Sequence, residues 1–178
     1  MTGPTTSPLE PVLEARGLRK QYGPLVAVDD VDLTVGPGEV VGLVGKNGAG
    51  KSSLIKVLTG AVQPDAGEVL LAGEPVHLRG PAEARRRGVG FVHQELNLAD
   101  NLDAAANVLL GRELKGGVLP GGIDFEAERA EAAKWMAAVG LEADPTTIVA
   151  DLPIGQRQLI EVAKALSVDA RVLIMDEP

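Results

Sequence analysis

Eight consecutive residues restrict this chain more than any others: Gly45-Lys46-Asn47-Gly48-Ala49-Gly50-Lys51-Ser52, a G-x-x-x-x-G-K-S pattern. The apolar run Val40–Val44 precedes it, short enough for a buried strand, and Ser52–Leu58 follows with the look of a helix. The chemistry explains the residue types. Glycines at 45, 48 and 50 let the backbone curl so that successive N–H groups point inward at an anion. A helix starting near Lys51 adds the positive end of its dipole. Lys51 supplies a mobile ammonium for β- and γ-phosphates, and the Ser52 hydroxyl is a ligand for Mg²⁺. Lys46, Asn47, Ala49 and Ser53 complete the cradle. A glycine-rich turn matching by accident would lack the strand before and the helix after, so a bound nucleoside triphosphate is the expectation.

Composition narrows the classes. The chain has 178 residues, enough for one domain, or a core with a small second lobe, around a real hydrophobic centre. A net charge of -8 argues against a large nucleic-acid footprint, which leans on clustered Lys and Arg. With no cysteine there is neither a disulfide framework nor a thiolate metal site. Met1–Glu10 lacks the basic and apolar regions of a signal peptide, and no apolar run approaches the roughly 18 residues of a membrane helix. A soluble chain is expected.

Residues 1–10 read as a loose tail, punctuated by Pro4 and Pro8. Strand pattern begins at Leu13 and continues through Val26, Val28, Val31, Leu33 and Val35 to a turn at Gly36–Glu39. Val69–Leu71 and Val89–Val92 are further short strands, with a small helix over Pro81–Arg87. Helices are expected over Asp103–Leu110, Asp124–Val139 and Ile154–Leu166, the second capped by Asp124 with Ala132, Trp135, Met136 and Val139 on one face. The Gly-rich connection 111–122 separates the first two, and Arg171–Met175 is a last apolar strand. This order fits an α/β nucleotide-binding core over 11–94 and 168–178, with an inserted helical subdomain over 95–167.

The last strand runs Val172-Leu173-Ile174-Met175 into Asp176 and Glu177. Open α/β sheets place ligands at the carboxyl ends of their strands. Asp176 is therefore expected to orient Mg²⁺ or its water, and Glu177 to face the γ-phosphate and polarise an attacking water. By itself such a strand end reads first as a solvated acidic turn, because such ends are common; paired with the phosphate loop, the metal-and-base reading becomes the better one.

Through these motifs the chain from about Leu13 onward resembles the nucleotide-binding domain of ATP-binding cassette (ABC) proteins. Gly45–Ser52 matches that family's Walker A and Val172–Glu177 its Walker B. Phe91-Val92-His93-Gln94-Glu95 resembles the glutamine loop, which implies that Gln94 contacts Mg²⁺ and the attacking water. Leu152-Pro153-Ile154-Gly155-Gln156 aligns with the signature that contacts ATP held by a second cassette. Tyr22 stands where the family carries an aromatic that stacks on adenine, and it is the sole tyrosine. His93 reads as structural and His77 as surface; Arg85-Arg86-Arg87 reads as a solvated face.

The stretches Val92–Leu98 and Leu110–Glu113 look like the N-terminal cassette of bacterial importers of the ribose, xylose and galactose type. That resemblance implies an ATPase in which two cassettes sandwich MgATP and drive transmembrane permease subunits. It further implies a separate sugar-binding protein and a place on the cytoplasmic face of the plasma membrane. Two departures bear on the activity. Pro153 occupies the signature serine position and Ile154 a glycine position, which reduces the trans contact to phosphate. The chain also ends at Pro178, before the family's partner-contacting loop and switch histidine, so a P-loop core incomplete at its C-terminus is expected. A cassette that binds ATP without hydrolysing it is the alternative reading. An ABC-type ATPase working on nucleic acid is a third, disfavoured by the charge and the short connection.

Overall fold

The computed structural model describes residues 10–92, 96–116 and 122–176. They divide into two compact units that meet in sequence between Val89 and Gly90.

The first unit is built on an antiparallel sheet. Strands β1 (Leu13–Tyr22) and β2 (Leu25–Val35) form a hairpin, and β3 (Ala66–Leu71) and β4 (Glu74–Val76) extend it in the order β2-β1-β3-β4. The β1–β2 register runs from Leu13↔Val35 to Tyr22↔Leu25, with shifts in its middle. Gly17 causes the first of them: at φ 55° it takes the left-handed conformation, and its N–H donates to Asp32 Oδ1 at 2.7 Å instead of to the ladder. The bulge changes the phase of the strand. Leu13 and Ala15 are buried before it, and Leu18 after it, so Leu18, Lys20 and Tyr22 then follow one another on one face.

The turn at Gly36–Glu39 forms as expected, with Pro37 leading into Gly38 at φ 70° and Glu39 N–H donating to Gly36 O at 3.2 Å. Helix α1 (Lys51–Leu58) packs on β1 and β2 through buried Leu54, Ile55, Val57 and Leu58. A short helix, α2 (Pro81–Arg86), has proline in its first turn and a buried Ala84. Arg85–Arg87 and His77 are exposed, as read from the sequence.

One expectation is corrected. Val40–Val44 forms no strand: among the described residues nothing pairs with it, and Val40 and Val44 are 96% and 94% exposed. Apolar, β-branched residues favour an extended backbone, but a strand exists only through the ladder it joins. The β-sheet of this unit is completed by β1 to β4, while β5 (Val89–Val92) and β6 (Val172–Met175) pair with each other.

The second unit is mainly helical. Its core gathers Ala104, Ala105, Val108 and Leu109 from α3 (Ala104–Val108), Ala132 and Met136 from α4 (Phe125–Ala138), and Ile160 and Ala163 from α5 (Ile154–Leu166). Trp135 and Val139 pack against it, so the face expected for α4 is the one that is used. Aspartates start two of these helices. Asp103 Oδ1 accepts from Ala106 N at 2.8 Å and Asp124 Oδ1 from Ala127 N at 3.0 Å.

A buried polar clamp joins the segment before α3 to the rest. Asn107, fully buried, accepts from Ala99 N at 2.7 Å and donates to the carbonyls of Ala99, Asp103 and Leu102. Arg157 donates to the carbonyls of Ala150 and Leu152 and lies 3.6 Å from Asp100, while Lys164 donates to Asn97 O at 2.9 Å. The 97–103 segment and the 148–152 turn are thereby tied to one helix, α5.

Candidate nucleotide-binding site

The phosphate loop is built from its glycines. Gly48 and Gly50 sit at φ 81° and 89°, where a side chain is strained. At Gly50 space forbids one as well, since a Cβ there would stand 2.0 Å from the Ala27 carbonyl oxygen of β2. The loop therefore enters α1 directly over the β1–β2 hairpin. Ala27 lies between Val26 and Val28, the register partners of Gln21 and Lys20.

Helix α1 begins at Lys51, and among the described residues no side chain caps its first N–H groups. Its first turn holds no acidic residue, and Lys56 stands in its last. The amino end thus keeps its partial positive charge for an outside anion. Lys51 folds back over the loop, donating from Nζ to Gly45 O at 2.6 Å and to Lys46 O at 3.1 Å. Lys46, Asn47 and Ala49 are exposed on the loop, and Ala49 N–H closes it onto Lys46 O at 3.1 Å. Ser52 is exposed in the first turn of α1 and Ser53 is half-buried beside it. Loop N–H groups, an ammonium and a hydroxyl thus share one helix start, a donor set that suits a polyphosphate and its cation.

Tyr22 ends β1 in the same unit and is 41% exposed, so its ring is open to a ligand. Sequence reasoning missed its surroundings. Lys20 Nζ lies over the ring, 5.6 Å from its centroid, and pairs with Asp65 at 2.9 Å. In the sequence Asp65 stands in Pro64-Asp65-Ala66-Gly67, a chain-breaking run with no other mark on it.

Asp176 and residues 152–156 fall in the second unit. Asp176 follows β6, and its N–H donates to Val92 O at 3.2 Å. Leu152 is buried, Pro153 is the N-cap of α5, and Ile154, Gly155 and Gln156 form that helix's first turn. Ile154 is 65% exposed, and a Cβ on Gly155 would meet nothing within 4 Å, so this helix start presents its backbone to solvent. Gln94 and Glu177, with His93, lie outside the described residues. Among the described residues no group of three or more His, Cys, Asp or Glu side chains is placed to hold a metal, and no helix is long and apolar enough to cross a membrane.

A glycine loop that curls over a strand hairpin and opens an uncapped helix defines the phosphate-binding element of a P-loop NTPase. The chain belongs to the ABC transporter family, whose description matches residues 28–178. Two relatives carry the likeness over nearly the whole chain. The ribose import ATP-binding protein RbsA 3 of Rubrobacter xylanophilus is 48% identical over 170 residues, 96% of this chain and 34% of that protein. The ribose import ATP-binding protein RbsA 2 of Streptomyces avermitilis is 47% identical over 178 residues, 100% of this chain and 35% of that protein. The chain thus spans about a third of the length of these relatives.

Among solved structures, the ADP conformation of MJ1267, an ATP-binding cassette of an ABC transporter, superposes with a TM-score of 0.79 at 27% identity. The match covers 94% of this chain and 69% of that one. The fold is that of an ABC ATPase cassette, as the sequence resemblance implied.

Proposed function

We propose that this chain is the ATP-binding part of an ATPase that powers sugar import. The observation that carries the reading is the phosphate loop: Gly45–Ser52 opens α1 with uncapped N–H groups, and Lys51 is already curled over the loop. In this reading loop N–H groups and Lys51 hold the β- and γ-phosphates, and Tyr22 stacks on the base. The family resemblance assigns Mg²⁺ to Ser52, Asp176 and Gln94, as hard oxygen ligands, and the ion would neutralise phosphate charge. Glu177 orients the attacking water, so the protein's contribution is positioning and electrostatics rather than covalent chemistry.

The names of the relatives support ribose-type sugars as the cargo class. A second cassette completes each ATP site through residues 152–156, permease subunits take up the motion, and a sugar-binding protein delivers the cargo. The chain then works at the cytoplasmic face of the membrane. Residues 11–94 and 168–178 make its nucleotide-binding core and 95–167 its helical lobe.

A specific observation favours a second reading, in which ATP is bound and not hydrolysed. The N-cap of α5 is Pro153, which offers neither a hydroxyl nor an N–H to a phosphate. Calorimetric titration of the chain with MgATP, beside Lys51→Ala and a GTP control, tests the site. Binding that vanishes in Lys51→Ala is the expected result, and equal binding by both proteins refutes the assignment. Turnover by the chain paired with a cassette of intact signature then separates the two readings.

A further inference from the structure

Tyr22 is held by more contacts than an exposed residue at a strand end requires. Asp65 lies far along the chain from β1, at the entry to β3, yet it grips three consecutive residues of β1. Its N–H donates to Arg19 O at 2.8 Å, its Oδ1 accepts from Lys20 Nζ at 2.9 Å, and its Oδ2 accepts from Gln21 N–H at 2.6 Å. On the other side of Tyr22, the Gln21 side chain donates from Nε2 to Gly23 O at 2.6 Å. The backbone is therefore pinned immediately before and immediately after the tyrosine.

The Lys20 side chain is only 14% exposed, although a lysine on a strand normally reaches into water. It is drawn back across the Tyr22 ring to meet Asp65, leaving its ammonium over the π-face. The bulge at Gly17 makes this contact possible by putting Lys20 and Tyr22 in the same phase after the fully buried Leu18. The start of α1 abuts Ala27, between the register partners of Lys20 and Gln21, so this arrangement stands on the stretch of hairpin that the phosphate loop overlies.

We propose that Lys20 and Asp65 are positioning residues that preset Tyr22 as a stacking platform for the base of the bound nucleotide. The inference rests on the nucleotide-site reading above. A ring with a cation over one face carries less π-density on the other. That face is then a better stacking partner for an electron-rich purine, and a ring already fixed loses less freedom when the base arrives. Lys20 touches the ring, and Asp65 acts through Lys20 and through the Gln21 N–H.

The test separates base from phosphate. The whole chain and the variants Lys20→Met, Lys20→Arg and Asp65→Asn are titrated with MgATP and, in parallel, with magnesium tripolyphosphate, which has no base. Tyr22 is the sole tyrosine, so ¹³C-tyrosine labelling gives one ring resonance that reports stacking directly. Lys20→Met and Asp65→Asn are expected to weaken MgATP by about two- to fivefold, the range of an exposed cation–π contact. Tripolyphosphate binding stays the same, and Lys20→Arg restores most of the loss. The ring resonance shifts with MgATP and not with tripolyphosphate, and the shift shrinks in the weakened variants.

Unchanged MgATP affinity in Lys20→Met and Asp65→Asn overturns the proposal. So does a parallel loss of both ligands, which would make the pair a support of the whole loop. Asp65→Asn retains an acceptor for Gln21 N–H and keeps the test open where Lys20→Met fails to fold. Failure of the unsubstituted chain to bind either ligand overturns the nucleotide-site reading itself, and this inference with it.

Discussion

Replacing Gly50 by alanine, measured against the same change at Gly48, separates two demands that the phosphate loop makes on glycine. Both residues are left-handed, at φ 89° and 81°, so both alanines carry a backbone strain of about 1–2 kcal/mol. At Gly48 the added methyl group meets nothing within 4 Å. At Gly50 it would lie 2.0 Å from the Ala27 carbonyl oxygen, 3.1 Å from the carbonyl carbon and 4.0 Å from a Val28 methyl. The obstacle is backbone in the middle of a paired strand and cannot rotate aside, so loop or strand must move. Overpacking of that kind adds about 1–3 kcal/mol.

Gly48→Ala is thus expected to cost about 1–2 kcal/mol and Gly50→Ala about 2–5 kcal/mol. Urea unfolding followed by far-ultraviolet circular dichroism gives both values. Native-state hydrogen exchange at Leu54 N–H, which donates to Gly50 O at 2.9 Å, reports the first turn of α1 directly. Equal losses for the two variants, with unchanged exchange at Leu54, would refute the claim that α1 starts in contact with β2.

Three further outcomes are expected. Asn107→Ala strips a fully buried residue of its bonds to Ala99, Leu102 and Asp103, and should destabilise the helical unit by about 2–4 kcal/mol, read from the fluorescence of the sole tryptophan, Trp135; a loss below about 0.5 kcal/mol would contradict the clamp. Glu161 is 5% exposed on α5, and its Oε1 has no hydrogen-bond partner among the described residues, so Glu161→Met should leave stability unchanged or raise it by about 1 kcal/mol, and a clear loss would show that the carboxylate is satisfied in solution. Asp144 is held below the ordinary carboxylate range, first by the Thr146 N–H and then by the Thr146 hydroxyl. A lowered folded pKa contributes stability above the unfolded value of about 4 and loses it as pH falls through the folded one. The Asp144 carboxyl carbon in Thr146→Val should therefore titrate at higher pH than in the parent, and the acid-side loss of stability tied to this group should shrink; an unmoved titration would rule out the hydroxyl.

Part of this molecule was legible in the linear chain because its causes are local. Gly-x-x-x-x-Gly-Lys-Ser needs only its own backbone freedom and the helix it opens, and α1 begins at Lys51 as the motif requires. Asp103 and Asp124 cap helices through bonds to N–H groups three residues on. The spacing of Ala132, Met136 and Val139 names the buried face of α4 before any partner is known. Other features depended on residues distant in sequence. Val40–Val44 has the composition of a buried strand and is exposed, because a ladder requires a partner that composition does not specify.

The sequence alone determined the phosphate loop, the helix starts and the family likeness, each a matter of neighbouring residues and their backbone preferences. Tertiary structure decided which strands paired, where Asn107 found buried carbonyls, and that an aspartate from a turn between α1 and β3 would hold Lys20 over the ring of Tyr22. Such contacts form only when folding closes long loops, and their entropy is recovered through burial and pairing that no short stretch of chain can encode.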